Sequence, residues 1–281
     1  MNFFIASISL LATSLFYVNE PVVNMREAPN HESKVASQTI FSENVNIEKQ
    51  VGDWAHITTP DQYSGWIPVT ALVSLEKAYQ PSLKVSRLVA HVYGVQDTEF
   101  GPIKTLPYGS KLQVLEAINA RWIKIALPNG QEGYIQTGDV VPEKEMHHKM
   151  DLVAFSQKFL GLPYTWGGRS SFGYDCSGFV QMLYQHIGIN LLRDAKQQIL
   201  DPRFQTISID DLEPGDLIFF GKSEQKITHV GMYLGAGQFI HTSPQENQPW
   251  LRISHVTDKV WSGSPESNNY PYRTMRQLME R

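Results

Sequence analysis

Cys176 is the only cysteine among 281 residues, and it stands between Asp175 and Ser177 where a glycine-rich stretch gives way to an apolar helical pattern. Upstream, Gly167, Gly168 and Gly173 leave the backbone permissive; downstream, Phe179, Val180, Leu183 and Ile187 recur at helical spacing and Gly188 offers a stop. The spacing therefore puts Cys176 at a helix N-terminus. There, unpaired N–H groups and the positive end of the dipole favour thiolate, the form that attacks. The same N–H groups can hold an oxyanion. A solitary cysteine is more often a small buried apolar residue. A core cysteine, however, belongs inside the apolar stripe, and this one sits at the cap between two polar residues.

A thiol nucleophile needs a base, and nine histidines are available, at 31, 56, 91, 147, 148, 186, 229, 241 and 255. Two lie in strong strand context. Ile227-Thr228-His229-Val230-Gly231-Met232-Tyr233-Leu234 and Gln238-Phe239-Ile240-His241-Thr242 flank Gly235-Ala236-Gly237, the pattern of a hairpin with a short glycine turn. With Leu234 paired to Gln238, Gly231 falls opposite His241, and strand alternation puts His229 and His241 on one face as diagonal neighbours. In that register His229 takes the proton of Cys176 while His241 bonds the second imidazole nitrogen, following the logic of a papain-like triad. A slip of one residue would part the two rings. Taken singly, each histidine reads as an ordinary half-buried strand residue.

The remaining chain must supply the scaffold. Its length and 42% hydrophobic content suit two or three globular domains. A net charge of −4 without any basic block argues against nucleic acid or an anionic membrane as partner. One cysteine excludes an intramolecular disulfide. In the first half Trp54, Ile57, Pro60, Gly65, Trp66 and Ile67 recur 68 residues later as Trp122, Ile125, Pro128, Gly133, Tyr134 and Ile135. Short alternating strands and turns such as Asn129-Gly130 make each copy a small β barrel, and the repeat length is that of a whole domain. Tyr79-Gln80-Pro81-Ser82 reads as the connector between copies, and residues 142–149 as a solvated linker in which His147-His148 lacks partners for a metal. Residues 3–18 form an uncharged apolar run, too short and interrupted for a membrane span; it reads either as a signal peptide, with small residues at Ala12 and Ser14 but no Lys or Arg before it, or as an N-terminal segment packed against the first barrel.

Tyr164-Thr165-Trp166-Gly167-Gly168, Gly173-Tyr174-Asp175-Cys176-Ser177-Gly178-Phe179-Val180, Gly188-Ile189, Leu192-Arg193-Asp194, Gln197, Glu213-Pro214-Gly215-Asp216 and the two histidine strands occur in the order found in NlpC-type cell-wall cysteine peptidases. The chain resembles that family over residues 148 to 275. The two copies in the first half resemble bacterial SH3-like domains. The resemblance implies a multidomain fold: an apolar segment at 1–16, all-β SH3-like barrels at 17–77 and 82–142, and an α+β papain-like peptidase domain at 148–281. It implies Cys176 as nucleophile, His229 as base, His241 as third member, Tyr164 beside the nucleophile, and Asp175 and Ser177 on substrate. It also implies no metal or organic cofactor.

The implied reaction cuts peptidoglycan stem peptides between γ-D-glutamate and the following diamino acid, usually meso-diaminopimelate. In family members acting on free muropeptides, an acidic residue and a tyrosine of the first barrel bind the free amine of L-alanine. By context these match Glu43 and Tyr63, with Asp175 sharing the ammonium. Read without the resemblance, they are an exposed loop glutamate and a half-buried tyrosine. Alternatives are an amidase or acyltransferase using the same thiol, and a non-catalytic wall-binding protein. The reading leans towards the cytoplasm, where free-amine fragments are recycled, with export to the periplasm or envelope close behind.

Overall fold

The computed structural model describes residues 14–145, 147–267 and 269–279. The expected apolar segment at 1–16 lies outside these residues up to position 13. Its end is strand, because β1 (Leu15–Val18) already begins at Leu15.

The first unit continues with β2 (Val22–Arg26), β3 (Val35–Ile40), β4 (Asn44–Val51), β5 (Trp54–Thr58), β6 (Ser64–Pro68) and β7 (Leu72–Leu75). The second contains β8 (Leu83–Val85), β9 (Val89–Tyr93), β10 (Pro102–Pro107), β11 (Lys111–Ala117), β12 (Trp122–Ala126), β13 (Glu132–Gln136) and β14 (Val140–Pro142). Their strand orders, β3-β2-β6-β5-β4-β1-β7 and β10-β9-β13-β12-β11-β8-β14, are one permutation used twice. The 68-residue repeat is therefore a repeat of topology. Each sheet rolls around its own core: Val18, Met25, Val45, Ile57 and Ile67 in the first, Val85, Val92, Leu112, Ile125 and Ile135 in the second. Both units are SH3-like all-β structures. The connector between them is pinned, since Tyr79 is buried and its hydroxyl donates to the Ala126 carbonyl at 2.6 Å.

The third unit holds α1 (Leu152–Gln157), the short pair β15 (Arg169–Ser170) and β16 (Gly173–Tyr174), α2 (Cys176–His186), α3 (Ala195–Gln198), β17 (Phe204–Ile207), β18 (Leu217–Gly221), β19 (Ile227–Gly235), β20 (Gln238–Ser243), β21 (Trp250–His255) and β22 (Tyr272–Leu278). Six of these strands form one antiparallel sheet in the order β17-β22-β18-β19-β20-β21. β18 reads Leu-Ile-Phe-Phe-Gly without alternation because both its faces are covered. Leu217 and Phe219 pack with α2, whereas Ile218 and Phe220 join Trp261 and Tyr270 on the far side. No helix among the described residues is long and apolar enough to cross a membrane.

The segment expected to be a solvated linker is docked. The His147 ring stacks on His186 at 3.7 Å, and His186 stacks in turn on Phe155 at 3.6 Å. Flat rings on a half-buried surface remove apolar area from water, which a purely polar linker would not do.

Candidate active site

Helix α2 starts where the sequence pattern places it. Asp175 is its N-cap, extended at φ −94° and ψ 177°, with its carboxylate accepting the Gly178 N–H at 2.8 Å. Cys176 is the first helical residue. The helix ends at Gly188 in the left-handed region, where the Gly188 and Ile189 N–H groups bond the Gln185 and Tyr184 carbonyls as a Schellman closure. The glycines upstream serve close approach as much as freedom: a Cβ on Gly178 would lie 2.2 Å from the Gly168 carbonyl oxygen. Backbone thus crosses directly beneath the first turn of the helix.

The histidine hairpin has the expected register in its body, with Met232 opposite Ile240 and Tyr233 opposite Phe239. The expected Leu234–Gln238 pair is not made. Gly235 pairs with Gln238 instead, so a bulge at Leu234 absorbs one residue, and Ala236 and Gly237 turn with φ of 50° and 75°. Two positive φ values match the twist of the strands, as in a type I′ turn. The bulge sits beyond the histidines and leaves their phase intact. His229 Nε2 lies 2.9 Å from His241 Nδ1, and His241 Nε2 lies 2.9 Å from Ser254 Oγ on β21.

A second bulge, between Phe220 and Gly221 on β18, lets Ile227 face α2 while the His229 ring turns to the other side. There it lies among Phe220, Trp261 and Tyr270, at 5.7, 4.9 and 5.5 Å between ring centres. The box is dry. Burial pushes the Cys176 thiol up to about 12, Asp175 adds to the rise, and the Val230 and Ser177 N–H groups and Arg193 oppose it. Burial, helped by the Arg252 charge, holds His229 down to about 3. Both shifts favour the uncharged thiol and the uncharged imidazole, opposing the pull of the helix dipole towards thiolate.

Tyr164 lies in the field of Cys176, its hydroxyl raised chiefly by burial and then by the sulfur. Tyr270, which sequence reasoning missed, is its counterpart. Burial and then Cys176 push its hydroxyl up to about 12. No motif near Tyr270 announces this role, because only closure of the sheet by β22 brings the segment back to the helix start.

Asp175 and Ser177 are both engaged by one buried cation. Arg193 donates to Asp175 Oδ1 at 3.0 Å and Oδ2 at 2.5 Å, to Ser177 Oγ at 2.9 Å, and to Ser37 Oγ of the first unit at 3.0 Å. Glu43 is half-buried rather than exposed, and its carboxylate is engaged within the protein. Its carboxylate accepts from Thr39 Oγ1, the Ile40 N–H at 3.0 Å and Arg169 at 3.0 Å. Asp61 and Gln181 complete that cluster on the flank of α2. Tyr63 lies instead near Asp194, Asp175 and Glu27: burial raises its hydroxyl, followed by the charges of Asp194, Asp175 and Glu27, with Arg193 opposing. Glu27, just after β2 of the first unit, is exposed, and its carboxylate makes no hydrogen bond or ion pair among the described residues. Its sequence signal was modest, an acidic residue where β2 turns outward. Among the described residues no group of three His, Cys, Asp or Glu is placed to hold a metal ion.

The NlpC/P60 family matches residues 161–264, and the bacterial dipeptidyl-peptidase SH3 domain matches residues 25–72. Over 245 residues the chain is 30% identical to a γ-D-glutamyl-L-lysine dipeptidyl-peptidase of Bacillus subtilis, covering 82% of this chain and 79% of that protein. This chain belongs to the NlpC/P60 family. This NlpC/P60 chain is also 26% identical over 245 residues to dipeptidyl-peptidase 6 of Lysinibacillus sphaericus, covering 81% of this chain and 87% of that one. The solved structure of an NlpC/P60 family protein from Bacillus cereus shares the fold at a TM-score of 0.81 and 22% identity, over 95% of this chain and all of that one. As an NlpC/P60 protein with SH3-like units, the chain is a cysteine peptidase of the peptidoglycan-hydrolase class.

Proposed function

We propose that this peptidase cleaves the γ-D-glutamyl to diamino acid amide of stem peptides carrying a free N-terminal L-alanine, releasing L-Ala-γ-D-Glu. The supporting observation is the histidine pair, with His229 Nε2 already committed to His241 Nδ1 at 2.9 Å. That commitment leaves Nδ1 of His229 for the Cys176 proton. As the thiol gives up its proton, sulfur attacks the γ-carbonyl and the N–H groups at the start of α2 bear on the oxyanion. The imidazolium then returns the proton to the leaving amine, and water releases the acyl group by the reverse sequence.

Tyr164 and Tyr270 wall the sulfur, and Tyr63 with Glu27 of the first unit receives the ammonium. This replaces the pairing of Tyr63 with Glu43, because the Glu43 carboxylate is saturated by Arg169 and its own loop. The B. subtilis relative is named for L-lysine at the third position, whereas the sequence resemblance implies meso-diaminopimelate, and both amides fit the same chemistry. The test is to incubate the protein with L-Ala-γ-D-Glu-L-Lys and L-Ala-γ-D-Glu-meso-diaminopimelate and follow dipeptide release by mass spectrometry. Release from at least one by wild type, and none by Cys176→Ala, is expected. Undiminished release by Cys176→Ala, or preferred cleavage of an N-acetylmuramoyl-L-alanine bond, would overturn the reading.

A further inference from the structure

The histidine pair does not end at His241. Its Nε2 is 2.9 Å from Ser254 Oγ, one strand further across the sheet, and His241 itself is fully buried. The register explains the reach: Phe239 is opposite Ser254 and Arg252 is opposite His241, so Ser254 is the diagonal neighbour of His241 on β21 just as His229 is on β19. Three side chains on three adjacent strands therefore form one row, His229, His241, Ser254.

A row of neutral imidazoles has only two proton arrangements. Each ring carries one N–H, so the choice at one end dictates the choice at the other. If Ser254 Oγ accepts from His241 Nε2–H, then His241 Nδ1 is a lone pair and must receive Nε2–H of His229. His229 Nδ1 is then a lone pair, the form that can take a proton from a thiol. If the direction is reversed, His241 carries its proton on Nδ1 and His229 is forced to carry its own on Nδ1, pointed at the nucleophile it should deprotonate. We propose that Ser254 is a positioning residue that sets this direction, acting through His241 to hold His229 in its proton-accepting tautomer.

Burial makes the choice consequential. An Nε2–H on His241 with no acceptor would be stranded inside the sheet, so removing the hydroxyl favours the reversed row. The inference rests on the cysteine-peptidase reading for its kinetic consequence, and its tautomeric consequence can be read without substrate.

In protein labelled with ¹⁵N-histidine, wild type is expected to show His229 protonated on Nε2 with Nδ1 bare. Ser254→Ala is expected to shift His229 towards the Nδ1–H form. On the tripeptide substrate the same variant should lose kcat by about tenfold or more with KM unchanged, a part of the roughly 10²–10⁴-fold that a positioned general base contributes. Ser254→Thr, which keeps a hydroxyl on a β-branched strand residue, should restore both the spectrum and most of the rate. A Ser254→Ala protein with the wild-type tautomer overturns the proposal, as does equal impairment of Ala and Thr variants with a lowered melting temperature. If wild type cleaves no tripeptide, the functional reading fails and the tautomer spectra still decide the role of Ser254.

Discussion

At the scale of single residues, the site separates reactivity from recognition. In the proposed reading the groups that make and break bonds come from the third unit, whereas the ammonium of the substrate is met by side chains of the first. Glu43 and Glu27 make this separable by experiment, since the former is tied to Arg169 and the latter makes no such contact. Glu27→Gln and Tyr63→Phe are expected to raise KM for a free-amine tripeptide by about tenfold, the weight of one charge-assisted hydrogen bond, and to leave an N-acetylated tripeptide unaffected. Glu43→Gln should keep the preference for the free amine and lower the melting temperature instead, because it leaves the Arg169 cation short of a partner. Loss of the preference in Glu43→Gln with retention in Glu27→Gln would reverse the assignment.

At the scale of elements, small side chains in the sheet decide whether the histidine row can exist. Gly231 lies opposite His241, and a Cβ there would sit 2.7 Å from a Phe239 ring carbon and 3.1 Å from the His241 Cβ. Gly231→Ala should therefore push β20 and cost about 1–3 kcal/mol of stability by overpacking, with a loss of kcat as the rings separate. Gly138→Ala, which would meet no atom within 4 Å, is the control expected to change neither. The helix start and the hairpin were legible in the sequence because both are local: an N-cap with an apolar stripe, and two alternating strands around a glycine turn. The bulge at Leu234 was not legible, since the turn and the body of the hairpin agree on register only after one residue is absorbed. The buried ion pairs were less legible still. Arg169 and Glu43 are 126 positions apart, and nothing in either neighbourhood names the other.

At the scale of the whole molecule, burial of neutral imidazoles makes stability depend on pH. His229 and His186 are each held down to about 3 in the folded chain, chiefly by burial, against an ordinary value near 6.5 when unfolded. Between these values the unfolded chain binds protons that the folded chain refuses, so stability falls as pH drops below about 6.5 and levels off near about 3, by up to about 1.4 kcal/mol per pH unit for each group. The urea midpoint should accordingly decrease between pH 7.5 and pH 5, before carboxylates titrate. A flat midpoint over that range would contradict neutral burial of these rings. The three units also share load: Arg193 and Arg169 tie the nucleophile's helix to Ser37 and Glu43 of the first unit, so the barrel braces the catalytic element as well as shaping its entrance.

The strand order of the large sheet has a temporal meaning. β22 follows the other five strands of that sheet in sequence yet lies between β17 and β18. While the chain is being synthesised from its N-terminus, both SH3-like units can close as they emerge, but β18 keeps an open edge and Tyr270 is missing from its box until residues 270–278 have emerged. A hydrolase built this way acquires its thiol and histidines before the tyrosine that walls them, and a copy cut short before Tyr270 carries the thiol without that wall.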